Sequence, residues 1–366
     1  MRRAGYTLIE LLVVIVIGAL LVGIAVPAFQ AILTSSRESL AQNALQQAIL
    51  SARDAAAANV GGGDTAAVFF FDADRGITVG IYEKIGAFSD DSDNDAGSAL
   101  RDVFVPITSM EPVQLPPDYS VRGFVLGTQL RDEDWYEDLV DYSPGSGLQT
   151  GGNNGSDRGP GAWVFPETDF YNKLEQDDGA DRQTFMVRFT AGTGTLSRDA
   201  TSALILDPRP SNVDRPDSLT PNFVQVTEAD DLKAWAKRVL ISTDPAVKTA
   251  LPVLIGNESG DTVLARPITD IALYRERRLG QMLQVRNLNR DTNSIYLKDE
   301  DPEVDSSLFR DSQLADDRVE LETRITQWLE GRLALESDRD AGSALEAESS
   351  VYTVGSYFGE LVEVVR

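Results

Sequence analysis

Hydrophobic residues fill the N-terminal part of the sequence almost without interruption. From Tyr6 to Val26 there are 21 residues, and Glu10 is the only one that carries a charge. A helix of this length is roughly 30 Å long, about the thickness of the hydrocarbon core of a bilayer. The pattern therefore predicts a transmembrane helix half over residues 6–27 that contains one acidic group.

Beyond Pro27 the pattern becomes that of an amphipathic helix, with apolar residues three or four positions apart and charged residues between them. Pro27 lacks a backbone donor, and we expect it to bend the helix rather than end it. The three glycines at 61–63 stop the periodic pattern. The sequence thus predicts one helix from Tyr6 to about Asn59, roughly 80 Å long, whose second half, residues 28–59, is amphipathic.

Short apolar runs separated by turn residues follow the helix. Residues 66–83 predict a β-hairpin whose turn ends at Gly76, because glycine readily adopts positive φ. Further runs predict strands over Ser120–Gly127, Phe185–Thr190, Ala203–Asp207, Ile268–Arg275 and Met282–Val285. The remaining predictions are helices over Glu228–Ile241 and Leu314–Leu335, and one or two closing strands over Val351–Val365.

A stretch rich in proline, aspartate and serine, residues 210–221, is a candidate domain boundary. It separates a β domain at 60–210, which has an insertion at about 128–182, from a C-terminal extension at 211–366 of unknown role. The expected fold class is α+β, with the long helix packed on a mainly antiparallel β-sheet and a mixed α/β extension. The sequence leaves open whether the segments on the two sides of the boundary share one sheet.

The composition narrows the chemistry that the chain can perform. It has 33 Lys and Arg against 58 Asp and Glu, a formal net charge of −25, and neither histidine nor cysteine. These absences exclude a Ser-His-Asp triad, an imidazole base, a thiol nucleophile, a disulfide and the common zinc sites. An enzyme is therefore not expected, and a membrane-tethered enzyme would need catalysis by carboxylates alone. The acidic surface repels phosphates, so no nucleic-acid partner is expected.

Two ordinary explanations of the apolar segment leave Glu10 unexplained. A cleaved signal peptide has an apolar stretch of about 7–15 residues, which is shorter than this one. A plain single-span anchor fits the length and the basic flank of Arg2 and Arg3, which predicts a cytoplasmic N-terminus. Burying an unpaired carboxylate in lipid costs about 2.5–3.5 kcal/mol or more, so an acid at this position needs a partner.

The basic flank, Gly5, Tyr6 and Glu10 together resemble the N-terminus of type IV pilins and type II secretion pseudopilins, and Pro27 matches a proline of that family. The resemblance implies that a prepilin peptidase removes residues 1–5 by cutting between Gly5 and Tyr6. It also implies that the new amine of Tyr6 is N-methylated. Glu10 of one subunit would then neutralise the Tyr6 amine of its neighbour, because paired charges are strongly favoured in a low-dielectric core.

The resemblance covers residues 1–59 and implies a pilin-like fold and a structural subunit. The order of the later elements is similar to that of minor pseudopilins of the H class and their fimbrial T-like relatives. The implied function is that of a minor pseudopilin in a type II secretion or type IV pilus-like filament. An adhesion or motility pilus is the nearest alternative, and a membrane-anchored periplasmic binding module with no filament role is the second.

The same resemblance implies partners and a location. The partners are other pilin or pseudopilin subunits, the prepilin peptidase and the inner-membrane assembly platform. The location is the bacterial inner membrane, crossed once, with a cytoplasmic N-terminus and a periplasmic C-terminal domain, and afterwards the filament.

One acidic loop has spacing that resembles the start of a calcium-binding loop. Asp91, Asp93 and Asp95 alternate with other residues, and Asp102 stands at position twelve counted from Asp91. Calcium takes oxygen ligands of this kind. Ala96 occupies the position at which an EF-hand needs glycine, and position twelve is Asp rather than Glu, so a solvated acidic loop is the default interpretation and a calcium site is the alternative. No other cofactor is expected.

Overall fold

The computed structural model describes most of the chain in segments. These are residues 8–72, 74–90, 99–126, 161–167, 183–199, 201–206, 262–297, 304–331 and 349–364, together with helical residues 233–234, 236–237 and 240–241. The chain divides into two compact units, Met1–Asn43 and Ala44–Arg366.

One long helix accounts for the described part of the first unit. Helix α1 runs over Leu8–Ala58 and continues without a break through Pro27. The predicted long helix is therefore confirmed over these residues, as is the prediction that Pro27 does not end it. Within the described residues, no helix is both long enough and apolar enough to cross a membrane.

Twelve strands and three further α-helices are described in the second unit. The strands are β1 Thr65–Asp72, β2 Gly76–Asp90, β3 Ala99–Pro106, β4 Val113–Gln114, β5 Tyr119–Leu126, β6 Gly161–Val164, β7 Gln183–Phe189, β8 Ala203–Leu206, β9 Thr262–Pro267, β10 Asp270–Arg275, β11 Ser349–Val354 and β12 Leu361–Glu363. The helices are α2 Glu276–Met282, α3 Ser312–Asp316 and α4 Arg318–Leu329, and a short 3-10 helix covers Ser306–Leu308.

Six of the strands close into a barrel. Their order around the ring is β1, β7, β9, β8, β3 and β2, and β2 pairs again with β1, while β4 lies on β2. The β3–β8 and β7–β9 pairs are parallel, and the other four pairs are antiparallel. The prediction of mainly antiparallel strands is confirmed, whereas the predicted pilin-like sheet is corrected to a closed barrel. Closure leaves no free edge in the ring, which removes a template for aggregation.

The barrel interior is filled by alternate residues of all six strands, since side chains of a strand point to opposite faces in turn. The buried apolar cluster consists of Ala66, Val68, Phe70, Tyr82, Phe104, Met186, Ala203, Ile205, Val263 and Ala265. Both faces of β7 are buried.

The remaining five strands form a second, fully antiparallel sheet in the order β12, β11, β10, β5 and β6. Helix α4 contacts β6 and β11. Aromatic rings join this sheet to the barrel, because Phe71 of β1 contacts Phe165 at 5.2 Å between ring centroids, and Phe165 stacks on Tyr296 at 4.1 Å.

The two sheets settle the question that the sequence left open. Strand β9, at 262–267, lies in the barrel between β7 and β8, and β10 pairs with β5. Segments from before and after residues 210–221 thus share both sheets, and a boundary at that stretch does not divide the β structure.

The local predictions have mixed outcomes. The hairpin at 66–83 is confirmed, with φ of 78° at Gly76, and so is a pair of closing strands in the C-terminal tail. The strand predicted over Met282–Val285 is wrong, since α2 extends to Met282 and is followed by a turn. The long helix predicted from Leu314 is divided at Asp317, whose side chain caps α4. Most of the helix predicted over Glu228–Ile241 lies outside the described residues.

Candidate functional site in the N-terminal helix

The predicted processing and assembly residues are Gly5, Tyr6, Glu10 and Pro27. Gly5 and Tyr6, the predicted cleavage pair, lie outside the described residues. Glu10 and Pro27 lie within α1. In the sequence, Glu10 is the only ionisable residue between Leu8 and Ser36, so any charge-dependent role of this helix segment depends on it.

The apolar residues around Glu10 are exposed on every side of the helix. Thirteen large apolar residues in this segment are between 45 % and 83 % exposed: Leu8, Ile9, Leu12, Val13, Ile15, Val16, Ile17, Leu20, Leu21, Val26, Phe29, Ile32 and Leu33. Successive helical residues are about 100° apart, so these positions cover the whole circumference. A helix that is apolar all round is stable only when surrounded by apolar partners, either protein or lipid.

The C-terminal part of α1 is built into the second unit. Its buried face consists of Leu45, Ala48, Ile49, Ala52 and Ala56. The carbonyl of Ala52 accepts a hydrogen bond from Thr65 Oγ1 at 2.5 Å, and that of Ala56 accepts one from the Gly192 amide at 2.8 Å. The small alanines allow this close approach, which fixes the helix to the barrel.

The C-terminal tail is held by the same part of the helix. The side-chain amide of Gln46 donates to the carbonyl of Gly359 at 3.1 Å, and its oxygen accepts from the amide of Leu361 at 2.7 Å. The amide of Leu196 also donates to the carbonyl of Ser356 at 2.8 Å. The turn before β12 is thereby fixed on two sides.

Only one of the four predicted calcium ligands is described. Asp102 lies on β3 with its carboxylate buried, 2.7 Å from Lys84 Nζ and 2.7 Å from Arg188 Nη2. Asp91, Asp93 and Asp95 lie outside the described residues. Among the residues with a described position, no group of three or more acidic side chains is arranged to hold a metal ion. The calcium site stays a prediction.

A buried charge cluster at one end of the barrel was not predicted. Arg188 contacts Asp64 at 2.8 Å, Asp102 at 2.7 Å and Asp199 at 3.3 Å. The Asp199 pKa is lowered, although desolvation opposes this shift, because Thr201 donates hydrogen bonds to the carboxylate and Arg188 lies close to it. The signal that could have revealed the cluster is Arg188 itself, a cation next to the apolar residues Met186, Val187 and Phe189 of β7.

A second buried polar cluster lies on the second sheet. Arg122 of β5 is fully buried, and its guanidinium pairs with Glu322 at 2.7 Å and donates to Tyr296 Oη at 2.7 Å and to the carbonyl of Trp163 at 3.0 Å. Burial raises the pKa of Tyr296 above its ordinary value, so the phenol stays neutral and accepts from the guanidinium. A buried arginine with these partners positions the surrounding elements.

Comparison with known proteins identifies the N-terminal segment. Residues 1–26 match the family model of the prokaryotic N-terminal methylation motif. This motif is typical of the prepilin-type signal of type IV pilins and pseudopilins. Such a signal implies processing by a prepilin peptidase and assembly with other pilin subunits. Searches of curated proteins and of solved structures gave no match.

Proposed function

We propose that the chain is a structural subunit of a type II secretion or type IV pilus-like filament, and specifically a minor pseudopilin. The observation that carries the proposal is the match of residues 1–26 to the methylation motif, in a helix whose apolar residues are exposed all round. The chain is a substrate of the peptidase, and its own role is structural rather than catalytic.

In this proposal the peptidase cuts between Gly5 and Tyr6, and the freed amine of Tyr6 is methylated. The apolar helix half at 6–27 is stored in the inner membrane and later transferred to the filament centre, where other subunits replace lipid. The membrane and the filament centre both surround the exposed apolar surface of α1 with apolar groups. The soluble part lies on the periplasmic side.

Glu10 is the assembly residue in this proposal. Its carboxylate pairs with the Tyr6 amine of a neighbouring subunit, which offsets the cost of keeping a charge among apolar side chains. Since both charges sit at fixed positions along the helix, the pair also sets the stagger between subunits.

The size of the second unit favours a minor subunit over a densely packed major one. A barrel and a second sheet add bulk to a subunit whose N-terminal segment carries the methylation motif. Bulky subunits limit how closely copies pack along a rod, which suits a subunit present at low number or at a filament end. An adhesion or motility pilus is the alternative setting.

The test is N-terminal mass analysis of the full chain expressed with a prepilin peptidase, followed by a filament incorporation assay. We expect a mature start at Tyr6 that carries an added methyl group. Glu10→Ala should be cleaved but absent from filaments, whereas Glu38→Ala, which removes an exposed carboxylate farther along α1, should be cleaved and incorporated. A start other than Tyr6 would overturn the proposal. A wild-type chain that is cleaved but never enters a filament would favour the anchored binding module.

A further inference from the structure

Glu276, the first residue of α2, is a buried acid, and within the described residues neither of its carboxylate oxygens has a hydrogen-bond partner. It is 2 % exposed, and its amide donates to the carbonyl of Asp118 at 2.9 Å. The partner of Arg122 is Glu322, which retains 16 % side-chain exposure. The charge of Arg122 also acts on the Glu276 carboxyl, and of the two acids Glu276 has less access to water.

The groups that act electrostatically on Glu276 or on its neighbours come from several elements of the fold. Those that act on its carboxyl or on its aromatic neighbours are Ser120 and Arg122 from β5, Tyr274 from β10, the Ile295 amide, Tyr296, and Arg318 and Glu322 from α4. On α2 itself, Arg278 donates to Gln281 at 3.1 Å. Within this described set, Arg122 is the one cation that acts on the Glu276 carboxyl.

Burial is the dominant influence on this carboxyl. It raises the pKa of Glu276 to about 7, against the opposing effects of the Ser120 side chain, the charge of Arg122 and the Ile295 backbone. Desolvation disfavours the charged form of an acid, and the existing Arg122–Glu322 pair supplies only part of the compensation.

We propose that Glu276 is a pH-sensitive element of the second sheet, whose ionisation above neutral pH weakens the packing of α2 and of residues 294–296 on β5 and β10. When Glu276 is ionised, the positive charge of Arg122 has to compensate two carboxylates, Glu322 and Glu276. The loss falls at the centre of the sheet, since β10 pairs with both β5 and β11. The element is independent of the N-terminal helix and of its function.

The sign of the effect follows from the pKa. The folded-state pKa of about 7 lies above the ordinary 4.5, so the folded protein holds a proton that the unfolded chain has released. The stabilisation is complete below about pH 4.5 and is lost as the pH rises through about 7. Each pKa unit is a factor of ten, so the unfolding equilibrium constant should rise roughly a hundredfold across this range.

The test is urea unfolding of the full chain in detergent micelles at pH 5 and pH 8.5. Between these two pH values, the unfolding equilibrium constant of Glu276→Gln should increase by a factor roughly a hundred times smaller than that of wild type, because glutamine mimics the neutral acid. The control is Glu320→Gln, which removes a half-exposed carboxylate of α4 and should leave the pH dependence as in wild type. Equal pH dependence in wild type and Glu276→Gln would overturn the proposal.

A measurement on the unmodified chain guards against a variant that does not fold. Infrared spectroscopy at pH 6 should show the carbonyl stretch of a protonated carboxylic acid, and this band should disappear by pH 8.5. Ordinary carboxyl groups are ionised at pH 6, so the absence of the band at pH 6 would also overturn the proposal.

Discussion

Arg188 and Asp102 form an ion pair at 2.7 Å from strands that lie opposite each other in the barrel. Strand β7 carries the arginine and β3 the aspartate, and two strands separate them in either direction around the ring. Both residues are almost completely buried. The pair therefore ties together the two halves of a closed sheet from the inside.

The Arg188 cluster should be essential for stability. Arg188→Met keeps the length of the side chain, but it leaves Asp64 without its cation and Asp102 with Lys84 alone, and breaking a buried pair costs about 3–5 kcal/mol. We expect a loss of this size in the free energy of unfolding, measured by urea titration of the full chain in detergent micelles.

The matched control removes a cation from the surface. Arg75 is exposed in the turn between β1 and β2, so Arg75→Met should change the unfolding free energy by no more than about 0.5 kcal/mol. Equal losses for the two variants would show that Arg188 contributes through net charge and not through its buried partners.

The elements that could be predicted from the sequence are those whose structure depends on residues close together in the chain. Helix α1 follows from a long apolar run and then from a periodic amphipathic pattern, and the hairpin follows from two apolar runs joined by a turn ending at Gly76. These predictions required no knowledge of distant residues, and the structure confirms both.

Barrel closure and the buried charges depend on residues far apart in sequence. Asp64 and Arg188 are 124 positions apart, and Arg122 and Glu322 are 200 positions apart. A charged residue within a strand usually points to solvent, so its burial becomes predictable only once its partner is known. Strand β9 joins the ring by a parallel pairing with β7. A local sequence pattern does not determine which residues face each other in such a pair.

Two glycines with positive φ should respond differently to alanine. Gly76 has φ of 78°, and a Cβ added there would lie in open space, whereas Gly359 has φ of 64° and a Cβ there would lie 3.2 Å from Arg53 Cδ and 3.4 Å from Phe189 Cε1. Gly76→Ala should cost about 1 kcal/mol from backbone strain alone. Gly359→Ala should cost more, because the neighbouring side chains must also move, and urea unfolding measures the difference. A smaller loss for Gly359→Ala would contradict the packing of the tail on α1.

Gln46 should hold the C-terminal tail on α1. Gln46→Ala removes two hydrogen bonds, to Gly359 and Leu361, and each is worth about 0.5–1.5 kcal/mol. Hydrogen exchange at the Leu361 amide should accelerate, since its acceptor is lost. Gln47→Ala, one position along the same helix and exposed, should leave this exchange rate unchanged. Equal rates in both variants would mean that the tail is held by other contacts.

The phenol of Tyr296 should stabilise the fold through Arg122. Its Oη accepts from Arg122 Nη2 at 2.7 Å in a fully buried setting, and a hydrogen bond to a charged group is worth about 1.5–3 kcal/mol. Tyr296→Phe removes this acceptor and keeps the stacking on Phe165, so the unfolding free energy should fall by that amount. The matched change Tyr357→Phe removes a hydroxyl from a side chain that is 74 % exposed and should be neutral within about 0.5 kcal/mol. A neutral result for Tyr296→Phe in urea unfolding would show that Arg122 is held by Glu322 and the Trp163 carbonyl alone.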